Sequence, residues 1–240
     1  MAPTVIARFL SAVIARRAEP DVATHVRRLP RVFRTLAMTS LLAMTVTAHA
    51  SPIDRMIESI ASTQTLTADF SQTTAAKSAR VRASSGSFWI SKPGLLRWEV
   101  KKPYPQIQVL NDKEFWTYDV DLQQASVRPV QAAQLTGIAA LLLSTNSLSR
   151  AALNERYEFS EDGAENGLSW IRVVPRQQEP GISSLRVAID RDAMLTRFEI
   201  HDALGQITQV VVSNVQKNIT IDASTFQFLP PKGAGVLRAR

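Results

Sequence analysis

Hydrophobic positions from Pro52 onward first follow a helical spacing. Ile53, Met56, Ile57 and Ile60 fall at i, i+3, i+4 and i+7, one buried stripe of a helix over residues 52–64. Ser51 is placed to cap that helix, with Pro52 at its first position. From Leu66 the period changes to two. Leu66, Ala68 and Phe70 alternate with Thr67, Asp69 and Ser71, and Phe88 and Ile90 continue the pattern. Leu96, Trp98 and Val100 share one face of a further strand, and Leu95, Arg97 and Glu99 the other.

Between these strands Lys92-Pro93-Gly94-Leu95 has the residue order of a type II turn, with Pro second and Gly third. Strands are expected at "QIQVL", "EFWTYDV", "ASVRPV", "RYEFS", "LSWIRVVP", "SLRVAID", "LTRFEIHD" and "ITQVVVSNV". Turns are expected at Asn111-Asp112-Lys113, around Asp121, and at Asp162-Gly163, Asp190-Arg191-Asp192 and Leu204-Gly205. The Ala- and Leu-rich stretch over residues 132–153 breaks the pattern. "GIAALLLS" favours a short helix, and a second is expected to start at Asn146 or Ser147. The double Pro of "FQFLPPKG" is expected to end regular structure. About ten or eleven strands with short turns read as a large antiparallel sheet, sandwich or barrel.

The first 50 residues differ from the rest. Arg27, Arg28, Arg31 and Arg34 precede an apolar run from Leu36 to Val46, followed by Ala48-His49-Ala50. That is the order of a secretory signal cut after Ala50, and the run is shorter than the ~20 residues a membrane helix needs. Residues 1–26, with Val5, Ile6, Phe9, Leu10 and Val13 on a basic amphipathic pattern, are read as a long leading region or an upstream start. Residues 51–240 are expected to form one domain. The whole chain carries a net charge of +7, but the leading segment holds 7 Arg against 2 acids, so the remainder has a net charge of only +2. That balance gives no basic footprint for nucleic acid.

Candidate chemistry is sparse. The chain has no Cys, and His201 is the one His beyond residue 50, so a zinc site built from His and Cys is excluded. No Gly-x-Ser-x-Gly elbow exists to present a serine to His201. The pairs Asp119/Asp121, Glu161/Asp162 and Asp190/Asp192 flank expected turns, where Asp bonds local backbone. Asn218-Ile219-Thr220 matches a glycosylation sequon to which no role is given. No enzymatic activity and no cofactor is expected.

Four blocks carry a resemblance: "LTADFSQ" after the opening helix, "GSFWISKPGLLRWEV", "PYPQIQVLNDKEFWTYDVDLQQ" and "FQFLPPKG". In their order and spacing the chain resembles the periplasmic outer-membrane lipoprotein carrier family, LolA. The resemblance implies a mainly β fold, an open antiparallel half-barrel whose concave apolar face is covered by a helical lid. It implies a periplasmic chaperone that binds the acyl chains of lipoproteins. Such a chaperone receives them from an ATP-driven inner-membrane releasing complex and passes them to an outer-membrane receptor. That receptor is itself a lipoprotein, so the lack of Cys fits the soluble carrier, expected as a monomer. The alternative is a binding protein for another lipid or hydrophobic small molecule on the same half-barrel.

By matching blocks, the expected acyl-chain cavity is lined by Met56, Ile60, Leu66, Leu96 and Trp98, with Ile138, Leu141 and Leu142 from the lid. Plain core is the competing assignment for each. The family pattern carries an Arg just before the turn Pro, where it holds the lid by bonds to backbone carbonyls. Here the residue is Lys92, a donor without the planar fork, expected to latch the lid more weakly. Arg97 is a second candidate, although alternation places it opposite Trp98, as an exterior charge.

Overall fold

A computed structural model describes residues 50–76, 79–130, 143, 149–179 and 181–238. The export segment expected over residues 1–50 lies outside the described residues except for Ala50. Helix α1 (Pro52–Ser62) opens the described chain. The Ser51 hydroxyl accepts from the Asp54 amide at 3.1 Å, satisfying one of the free N–H groups of the first turn. The helix ends two residues earlier than its apolar spacing predicts, because Thr63 takes an extended backbone, φ −86° and ψ 116°.

Twelve strands follow. They are β1 (Thr65–Ala76), β2 (Ala79–Ser91), β3 (Leu95–Lys102), β4 (Gln106–Leu110), β5 (Glu114–Asp119) and β6 (Gln124–Pro129). After the short helix α2 (Arg150–Arg156) come β7 (Tyr157–Glu165), β8 (Leu168–Pro175), β9 (Ser184–Ile189), β10 (Leu195–His201) and β11 (Ile207–Lys217). A single 3-10 turn (Ala223–Phe226) then leads to β12 (Gly235–Arg238). All join one sheet in the order β12-β6-β5-β4-β3-β2-β1-β11-β10-β9-β8-β7. Two antiparallel meanders are thus fused along β1 and β11. The end strands β12 and β7 do not pair, so the half-barrel stays open. Among the described residues no helix is long and apolar enough to cross a membrane.

Each face of the sheet is covered differently. The inner face carries the main core, including Phe70, Phe88, Ile90, Leu96, Trp98, Ile171 and Val187, and α1 adds Ile53, Met56 and Ile57 to it. Trp98 lies 5.1 Å from Phe88 and nearly parallel to it, and 4.1 Å from Phe70. Such pairs contribute about 0.5–1.5 kcal/mol each beyond their buried area. On the outer face Val109, Trp116, Tyr118, Ala125 and Val127 form a smaller cluster under the C-terminal segment, with Phe228 5.5 Å from both aromatic rings. Arg97 also lies on this side. It pairs with Glu99 and donates to the Thr225 carbonyl at 3.2 Å, so it ties down the C-terminal segment.

Several local expectations need correction. The described residues form twelve strands rather than ten or eleven, because regular structure resumes after the double Pro. Strand β12 pairs with β6 in parallel, an exception in an otherwise antiparallel sheet, and four residues are too few for a readable period. Asp162-Gly163 is a bulge inside β7, and the β7–β8 hairpin turns instead at Asn166-Gly167, with φ 52° and 78°. Asn-Gly is the preferred pair for a two-residue hairpin, where both residues need positive φ. Gly94 takes φ 73°, the positive φ that a turn with Pro second and Gly third requires. Helix α2 starts at Arg150 with Ser149 as its cap, later than Asn146 or Ser147.

Gly86 shows how tightly the inner face is packed. It sits opposite Phe70 and Val100, where the β2–β3 register shifts. A Cβ there would lie 1.7 Å from the Glu99 carbonyl oxygen and 3.0 Å from the Phe70 ring. The nearer obstacle is backbone and cannot swing aside. Gly86→Ala is therefore expected to lower the unfolding free energy by about 1–3 kcal/mol in urea titrations; an unchanged midpoint would contradict this packing.

Candidate functional site

The apolar stripe of α1 does not close fully on the sheet. Between them lies a hollow that opens to solvent. Met56, Ser59, Ile60 and Thr63 form the helix side. Leu66, Phe88 and Ile90 form one wall, and Val173, Val187, Ile189, Val212 and Val215 the other, with Ala193 and Leu195 beside them. Lys92 and Lys217 complete the lining. The wall between the two lysines is almost wholly hydrocarbon, so it suits alkyl chains.

Of the expected cavity residues, Met56, Ile60 and Leu66 line the hollow. Leu96 and Trp98 are buried in the same core but stand back from it. Trp98 stacks on Phe88, which lines the wall. Ile138, Leu141 and Leu142 lie outside the described residues. Their neighbour Leu143 is described and buried, with its carbonyl accepting from the Gly94 amide at 3.0 Å.

The turn between β2 and β3 therefore holds two covering segments at once. Lys92 Nζ donates to the Ile60 carbonyl at 2.5 Å, and the Lys92 amide donates to the Gln64 carbonyl at 2.9 Å. Other groups finish the same end of α1. Thr63 Oγ1 donates to the Ser59 carbonyl at 2.7 Å, Asn218 Nδ2 to the Ser62 carbonyl at 3.2 Å, and Lys217 Nζ to Ser59 Oγ at 2.6 Å. The last carbonyls of a helix lack intrahelical partners, and they carry its negative pole. The last turn of α1 has no basic residue of its own, so the lysines arrive from β11 and the β2–β3 turn. At the other end Arg150 of α2 pairs with Asp54. The Ser51 hydroxyl and that guanidinium hold the Asp54 carboxyl below the usual carboxylate range.

Lys217, Val215, Ser59 and the β8–β9 wall are additions to the expected lining. On β11, Thr208, Val210 and Val212 face inward at even positions. Asn214 then takes φ 52°, and the β1 partners shift between Thr67 and Asp69. This bulge adds one residue and inverts the alternation, turning Val215 and Lys217 inward. Asn214-Val215 carries no Gly or Pro to announce it; the positive φ at an Asn is the only available signal.

Burial pushes both lysines below the ordinary lysine value of 10.5; for Lys217 the nearby Asp190 charge partly opposes this. A lysine in the unfolded chain keeps its proton to higher pH. Between the folded and unfolded values the unfolded state binds more protons, so stability rises with pH. Unfolding measured from neutral pH toward 10.5 is expected to show that rise in the wild type. The Lys92→Met, Lys217→Met double variant should show a smaller slope, and an identical slope would contradict the burial of these charges.

Comparison with known proteins agrees with this geometry. The model of the family "Outer membrane lipoprotein carrier protein LolA" matches residues 61–229. The chain is 33% identical over 211 residues to an outer-membrane lipoprotein carrier protein of Dechloromonas aromatica, covering 88% of this chain and 99% of that one. It is 35% identical over 207 residues to the protein of the same name from Methylococcus capsulatus, covering 85% and 97%. Among solved structures, an uncharacterized conserved protein from Thermus thermophilus shares the fold, with a TM-score of 0.50 at 16% identity, covering 78% of this chain and 97% of that one.

Proposed function

This chain belongs to the LolA family of outer membrane lipoprotein carrier proteins, and from that premise we propose that its hollow receives the acyl chains of lipoproteins in transit through the periplasm. The observation that carries the reading is the apolar hollow under a helix whose end is held by hydrogen bonds. Each acyl CH₂ removed from water contributes about 0.8 kcal/mol. A lipid anchor therefore stays in a membrane or aggregates unless comparable apolar surface replaces the bilayer. The inner face supplies that surface.

A carrier must also let go. In the closed form α1 fills much of the inner face itself, burying Ile53, Met56 and Ile57. Loading displaces these contacts and the polar bonds at the helix end, and their recovery on release offsets part of the acyl-chain gain. Lys92 is the adjustable element. A buried ammonium held by one carbonyl is a weaker latch than a bidentate guanidinium. Residues 1–50 serve export, and residues 51–240 form the carrier. Its partners are an ATP-driven releasing complex on the inner membrane and a lipoprotein receptor on the outer membrane. Its work is carriage rather than catalysis.

Two experiments test this. Residues 51–240, added to membranes containing the releasing complex and ATP, should keep an acylated lipoprotein in the supernatant after ultracentrifugation. A lipoprotein that pellets regardless would contradict carriage. In the same system Lys92→Leu should load normally but pass cargo to the receptor about tenfold more slowly, because a charge-assisted bond favouring the empty form is gone. Lys92→Arg should restore release. Unchanged release in Lys92→Leu would remove the latch role.

A further inference from the structure

An apolar hollow meant only for hydrocarbon has no use for positive charge, yet two ammonium groups stand on its lining. Lys92 reaches it from the β2–β3 turn and Lys217 from the last position of β11. Their Nζ atoms bond to adjacent residues of α1, the Ile60 carbonyl and the Ser59 hydroxyl. Both charges thus converge on one end of one helix. Neither forms an ion pair among the described residues. Asp190, the carboxylate that acts on Lys217, is occupied by the Asp192 and Met194 amides, each bonding its Oδ1 at 2.9 Å. The acceptors the lysines do have are a neutral carbonyl and a neutral hydroxyl. Each ammonium thus donates to one neutral acceptor, and the Asp190 charge offsets only part of the effect of burial on Lys217.

We propose that the hollow is a binding site for a fatty-acid carboxylate, with the chain on the Met56–Ile60 stripe and the valine wall and the carboxylate between Lys92 Nζ and Lys217 Nζ. A carboxylate only accepts and an ammonium only donates, so the two match without an orphaned proton. Charge-assisted bonds of this kind are about twice as strong as the neutral ones they would replace. A neutral head group leaves the two charges as they are, and a cationic one is repelled. The carboxylate takes the donors that now hold Ser59 and Ile60, so the same ligand frees the C-terminal end of α1. A free fatty acid would then compete with lipoprotein loading at the latch itself. The proposal rests on the reading of the hollow as an acyl-chain site.

Displacement of a polarity-sensitive fluorophore from residues 51–240 by decanoate and by decanol compares equal chains that differ in the head group. Decanoate is expected to bind about tenfold more tightly than decanol. The decanoate-to-decanol affinity ratio should fall toward unity in Lys217→Gln and in the Lys92→Gln, Lys217→Gln double variant. Using the ratio cancels any general loosening of the helix. Decanol binding without a preference for decanoate, or a preference undiminished in both variants, would overturn the carboxylate site while leaving the acyl-chain hollow intact. If neither compound displaces the fluorophore, both the carboxylate site and the acyl-chain hollow fail.

Discussion

The bond from Lys92 Nζ to the Ile60 carbonyl is where the demands on this fold meet. An open half-barrel leaves one apolar face without a partner sheet, and that face must be covered in water. Closing the sheet into a barrel would cover it for good. Here the two edge strands stay apart, and among the described residues the three-turn helix α1 covers part of that face instead. A cover held only by apolar packing would resist removal by an apolar cargo no more than it resists removal by anything else. Hydrogen bonds at one end give the closed state its own register. They also concentrate its attachment at a turn that holds Leu143 as well.

The electrostatics run against simple stability. Burying an ammonium is unfavourable, and the fold half-buries two of them at the same helix end, both with depressed proton affinity. The helix pole and local hydroxyls offset only part of that cost. On the proposed function the latch is poised, with each lysine hydrated again when the helix lifts. The Asp54–Arg150 pair at the other end is exposed, and such pairs contribute little. The asymmetry leaves the C-terminal end of α1 the end tied by half-buried charge. The helix also packs on β7 and β8, and Arg55 donates to Ser169 of β8 and to the Arg191 carbonyl in the β9–β10 turn.

Much of this architecture is readable from the chain because period alone separates α1 from the strands. Leu96, Trp98 and Val100 do share one buried face, and Arg97 does lie on the other. What the chain hides has a common cause in local breaks of period. The bulge at Asp162-Gly163 has the composition of a turn, while Asn166-Gly167, a stronger hairpin signal, is the actual turn. The bulge at Asn214 reverses the facing of Val215 and Lys217, so half of the cationic pair is out of sight in a simple alternation. Trp98 draws attention by size. In the closed form it supports the wall through Phe88, while smaller valines from β8, β9 and β11 make the surface.

The central claim is that α1 is a cover that lifts when cargo is loaded. The chain contains no Cys, so two introduced thiols can be labelled cleanly. Spin labels at Glu58→Cys on the exposed side of α1 and Arg172→Cys on the exposed side of β8 report the gap between helix and sheet. The measurement is the distance distribution between them, in the empty protein and in the lipoprotein complex. The account predicts one short distance when empty and a longer, broader one when loaded. The same short distance in both states would mean that the helix is a fixed part of the core, and the account would be wrong.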